Sequence, residues 1–74
     1  MTIEINDRII CKKMPGDSNF TRLIGTVVAK RNGYLMVDAE FVTDIWDSKQ
    51  TLKPVENLSV GVLENDATLY PRSV

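Results

Sequence analysis

Leu23-Ile24-Gly25-Thr26-Val27-Val28-Ala29-Lys30, then Arg31-Asn32-Gly33, then Tyr34-Leu35-Met36-Val37-Asp38-Ala39 is the stretch that decides the fold. Two runs of aliphatic and β-branched residues flank an Asn-Gly pair. Both members of that pair tolerate positive φ, as a two-residue type I′ turn demands, so the segment reads as a β-hairpin. Side chains alternate between the faces of a strand. Leu35, Val37, Ala39 and Phe41 are therefore expected on the core face, and Tyr34, Met36, Asp38 and Glu40 on the other.

Working outward, Arg8-Ile9-Ile10-Cys11-Lys12-Lys13 reads as a first strand with Ile9 and Cys11 on one face. Met14-Pro15-Gly16-Asp17-Ser18-Asn19 concentrates turn-forming residues and reads as a loop. Beyond the hairpin, Asp44-Ile45-Trp46 either ends a long third strand or begins a loop, and Asp47-Ser48-Lys49 forms a turn. Gln50-Thr51-Leu52-Lys53 is expected as a fourth strand, Pro54–Leu58 as a single 3₁₀ turn, and alternating Leu58, Val60 and Val62 as the last strand. Residues 64–74 are left as a tail in which Leu69 and Tyr70 can pack back. No window keeps an apolar stripe of helical period for three turns. The expectation is an all-β domain over residues 1–63, a small five-stranded barrel.

Four pieces in this order resemble the SH3-like barrel superfamily: Asn6-Asp7-Arg8-Ile9-Ile10, Ile24-Gly25-Thr26-Val27-Val28, Tyr34-Leu35-Met36-Val37 and Leu52–Leu58 with its Pro54 and Leu58. The resemblance covers roughly residues 6–62 and implies short curved strands that close on themselves, with a 3₁₀ turn leading into the closing strand. It implies little about function, since one fold hosts many jobs. Gly25-Thr26-Val27 is similar to the signature of KOW-type modules, which bind RNA or protein. Chain length is similar to that of the plasmid-encoded type II dihydrofolate reductases, whose four barrels share one pore. That family's Val-Gln-Ile-Tyr segment is matched here by Gln50-Thr51-Leu52-Lys53, with the glutamine displaced and the tyrosine replaced by lysine, so the activity does not carry over.

Composition narrows the chemistry. At 74 residues there is room for one small core, and 43% hydrophobic against 26% charged residues is a globular balance. Nine Lys and Arg against ten Asp and Glu give a net charge of -1, lacking the basic surplus of most modules that grip phosphates. The chain has no histidine, the commonest general base and metal ligand. Neither a catalytic residue nor a metal or other cofactor is expected. Cys11 is the one cysteine, which rules out an intrachain disulfide, and the first residues lack the pattern of a secretory signal. No apolar run is long enough to span a membrane, and a cytoplasmic setting is expected.

The candidate contact residues follow from what is out of place. Trp46 stands in sequence among Asp38, Glu40, Asp44 and Asp47, a poor setting for a core residue. Its ring either caps one end of the barrel or serves as a contact, tryptophan being enriched at interface hot spots. Asp44 and Asp47 beside it would favour a basic protein surface. Tyr34 and Met36, with Val27 or Val28 and Ile10, would form an outward apolar group for the tail, a second copy of the chain or another protein to cover. Cys11 reads as a compact buried thiol. The basic pairs Lys12-Lys13, Lys30-Arg31 and Lys49 with Lys53 read as solvated surface.

The function expected from these features is a non-catalytic adaptor or inhibitor that binds a protein. Size and economy suit an accessory protein of a phage or mobile element acting on a host protein. The alternatives are a KOW-like nucleic-acid binder, which would cling to heparin at low salt, and a reductase-like oligomer, which would be a tetramer that binds NADPH.

Overall fold

The computed structural model describes residues 2–12 and 19–70; most of the loop expected at Met14–Asn19 and the last four residues of the tail lie outside them. Everything regular among the described residues is strand, apart from one 3₁₀ turn. The hairpin is its backbone. Strand β2 (Phe20–Arg31) and β3 (Tyr34–Asp44) are joined through Asn32 and Gly33, whose φ angles of 51° and 83° are those of the expected tight turn. Replacing Asn32-Gly33 with Val-Val should force two β-branched residues into that region. It is expected to destabilise the domain by about 1–3 kcal/mol, read as a lowered melting temperature.

Strand β1 (Arg8–Cys11) pairs antiparallel with β2, placing Ile9 against Gly25 and Cys11 against Leu23. Strand β5 (Ser59–Leu63) pairs with the first half of β3, and the two-residue β4 (Lys53–Pro54) with its second half. Glu64–Asp66 form the 3₁₀ turn, and β6 (Ala67–Leu69) then pairs with β1, Ile9 facing Leu69. The sheet runs β4-β3-β2-β1-β6 with β5 also on β3, so β5 and β6 lie at its two ends although only three residues separate them in the chain. That short link bends the sheet toward itself. The hydrogen-bonded path stays open, since no ladder joins β5 to β6.

Three expectations about the order of turns and strands need correction. The 3₁₀ turn lies at Glu64–Asp66 and not at Pro54–Leu58, where the chain makes only a bend. The fourth strand is not Gln50–Lys53 but Lys53–Pro54, on a sheet edge where proline's missing N–H costs no ladder bond. The sheet also does not stop at residue 63, because the segment read as a tail supplies β6; six strands are present among the described residues instead of five.

The long strands alternate only piecewise. The pairing steps from Phe20–Asp44 to Arg22–Thr43, from Ile24–Phe41 to Gly25–Ala39, and from Val27–Val37 to Ala29–Met36. Thr21, Glu40 and Val28 are therefore the extra residues of three bulges, each of which bends the hairpin and resets its side-chain phase. The bulge at Glu40 hands the inward position to Val42, which is buried, while Phe41 is turned off the core face to stand opposite Ile24 and Pro54. Phe41 was expected inside; the bulge is why it is not.

The core consists of Ile3, Ile9, Cys11, Leu23, Val27, Leu35, Val37, Ala39, Val42 and Val62. Leu35 and Val37 point inward as the alternation requires, and so do Ile9 and Cys11. With no exposed surface, the Cys11 thiol is expected to react with a thiol reagent only once the protein is denatured. Fast stoichiometric labelling of the native protein would contradict its placement. No helix among the described residues is long and apolar enough to cross a membrane.

Candidate functional site

Strand β3 ends at Asp44, and the chain reverses there in two successive turns. The amide of Asp47 donates to the Asp44 carbonyl and that of Gln50 to the Asp47 carbonyl, each at 3.1 Å. Both aspartate side chains reinforce the reversal. Asp44 Oδ1 accepts from the Trp46 amide at 3.2 Å, while Asp47 accepts from the Lys49 amide at 2.9 Å and the Thr51 amide at 3.1 Å. Asp and Asn favour such local bonds because their short side chains reach the backbone two residues on. The Ile45 amide donates to the Asn19 carbonyl, and the Arg22 guanidinium donates to that of Gln50, tying the reversal to the start of β2.

On this bonded frame Trp46 is 87% exposed, the most exposed of the large apolar residues among those described, with Ile45 half exposed beside it. The ring therefore caps nothing in the isolated chain.

The acidic surroundings are thinner than the sequence order implied. Asp38 lies six residues before Asp44 on an extended strand, about 20 Å away, and Glu40 is engaged elsewhere, its Oε2 2.8 Å from Arg8 Nε. Partial burial pushes the Asp47 carboxyl up, but the amides of Lys49 and Thr51 and the nearby charge of Lys53 outweigh it and hold the group below its ordinary value. Asp47 thus keeps its charge, and its turn-stabilising bonds, until the pH falls below the ordinary carboxylate range. Asp44, with one oxygen bonded to the turn, is the carboxylate adjoining the indole.

Tyr34 and Met36 lie at the other end of β3. They point outward, as the alternation requires, and are 58% and 42% exposed. Across the sheet Tyr34 faces Leu63 and Arg31, and Met36 faces Gly61 and Ala29. Because Gly61 has no side chain, the surface sinks between these neighbours into an open hollow of about 370 Å3, lined by Ala29, Lys30, Arg31, Tyr34, Leu35, Met36 and Gly61. Ile10 belongs elsewhere: its cross-strand neighbours are Ile24 and Thr68. The two groups of candidate residues are therefore not brought together.

Sequence reasoning missed the hollow, since a single glycine in a strand reads first as a bulge or a close approach. It also missed the outward cluster of Arg8, which pairs with Glu40 and lies 5.0 Å from the centre of the Tyr70 ring. Of the basic pairs, Lys30 is bound to Glu64 at 3.1 Å and to the Ile3 carbonyl at 2.9 Å, whereas Arg31 is exposed and forms no ion pair among the described residues. Lys13 lies outside the described residues. No group of three His, Cys, Asp or Glu side chains that could hold a metal ion occurs among the described residues. No protein-family model, curated protein or solved structure matches the chain.

Proposed function

We propose that this chain is a small SH3-like barrel that works as a non-catalytic protein-binding module, with Trp46 as its anchor. For the barrel, the support is the order of the elements. A five-strand path β6-β1-β2-β3-β5 bends until a 3₁₀ turn links its two ends, with β4 as a two-residue addition. For binding, the support is one observation: a tryptophan almost wholly in solvent on a turn whose backbone is already bonded in place. Exposing an indole serves no folding purpose. Burying it against a partner removes a large apolar area, and the bonded turn loses little freedom on doing so. Such a module acts by occupying a surface of its partner, as an adaptor or an inhibitor does. Asp44 beside the ring favours a cationic group on that surface.

The test is affinity capture from the native cell with the wild-type chain and Trp46→Ala as paired baits. The proposal expects a protein held by the first and lost by the second. Retention on heparin that falls steeply with salt, with no protein distinguishing the two baits, would instead favour the nucleic-acid reading.

A further inference from the structure

The hollow on the hairpin's outer face calls for a particular occupant. Its walls are Ala29, Tyr34 and Met36 and its floor is the bare backbone of Gly61, so it suits a bulky apolar group. At its rim stands Arg31, exposed and without an ion pair among the described residues, directly across the sheet from Tyr34. A fitting occupant carries a flat apolar side chain with a carboxylate close by. Nothing in folding requires this arrangement. Gly61 does not have positive φ, and a Cβ there would meet nothing within 4 Å.

The molecule itself presents that pair of groups, at the opposite end of β3: the indole of Trp46 and the carboxylate of Asp44, two residues apart on one turn. We infer that the hollow at Gly61 receives Trp46 of a second copy of this chain, with Asp44 of that copy facing Arg31. The inference rests on Trp46 being a contact residue and adds a second use of the same indole, in which self-association competes with the captured partner. The eleven residues of β3 separate hollow and indole, so one chain cannot close the contact on itself. The contact uses different surfaces on the two copies. It closes into a two-fold dimer where two copies exchange it reciprocally, and otherwise propagates into short chains or a ring. Tyr34 and Arg31 give the incoming ring aromatic and cationic neighbours, and the Asp44–Arg31 pair makes association sensitive to salt.

Sedimentation or light scattering across a concentration series tests this. The native chain is expected to gain mass with concentration, less so at high salt. Trp46→Ala removes the knob and Gly61→Leu fills the hollow. Each should weaken assembly about tenfold or more while melting within a few degrees of the native chain. Mixed in equal amounts, the two variants should form complexes that stop at two chains, because one intact hollow and one intact indole remain. A native chain that stays monomeric to about 1 mM would overturn the inference, and so would a mixture that forms no pair. Should Trp46→Ala abolish assembly while Gly61→Leu does not, the indole docks elsewhere: the hollow is then wrong and the contact role of Trp46 stands. Loss of a captured partner by Trp46→Ala, with the native chain monomeric, would separate the two in the same way.

Discussion

Gly25→Ala is expected to destabilise the fold by about 3 kcal/mol, although it adds a single methyl group. Gly25 follows a bulge and faces Ala39 in the middle of the hairpin. A Cβ built on it would fall 2.4 Å from the Asp38 carbonyl oxygen and 2.7 Å from Val37 Cγ1. The first of these is backbone and the second belongs to a fully buried side chain, so neither can swing aside. Accommodating the methyl means separating β2 from β3 where the sheet is most central. A domain of this length has about 4–11 kcal/mol in all, and each kcal/mol moves its melting temperature by about 4–8 °C. The variant should therefore melt at least about 12 °C lower. Gly61→Ala is the matched control, since its Cβ points into open space; it should change stability by no more than about 0.5 kcal/mol. Equal melting of the two variants would mean that β2 and β3 do not approach at Gly25.

The hairpin and its turn were legible because local chemistry sets them: Asn32-Gly33 accepts positive φ, and the flanking residues alternate. The inward placement of Ile9, Cys11, Leu35 and Val37 followed from the same alternation. What the sequence concealed was set by distant pairing. The bulge at Glu40 turns Phe41 off the core face, and nothing local to Glu40 announces it. Ala67–Leu69 is too short to read as a strand alone and becomes one by lying along β1. Trp46 stood out against its charged neighbours in sequence, yet an extended strand carries Asp38 away from it and an ion pair to Arg8 occupies Glu40. The hollow at Gly61 depends on Met36 facing a residue with no side chain, a cross-strand fact that no single segment contains.

The second large effect concerns Trp46→Ala. The side chain is 87% exposed, so its removal takes almost nothing from the core, and the variant should melt within a few degrees of the native chain. In a complex the ring would lie at the centre of the contact, where truncating a hot-spot tryptophan costs about 2 kcal/mol or more. Asp44 behaves differently. Asp44→Asn keeps an oxygen for the Trp46 amide and removes only the charge, so it should slow association and flatten its salt dependence with little change in dissociation. The most direct measurement is a calorimetric titration of the captured partner with the native chain and with Trp46→Ala, at a concentration where the chain is monomeric and alongside the melting curve of each. The expected result is a folded variant that binds at least about tenfold more weakly. A folded variant that binds as tightly as the native chain would contradict the account.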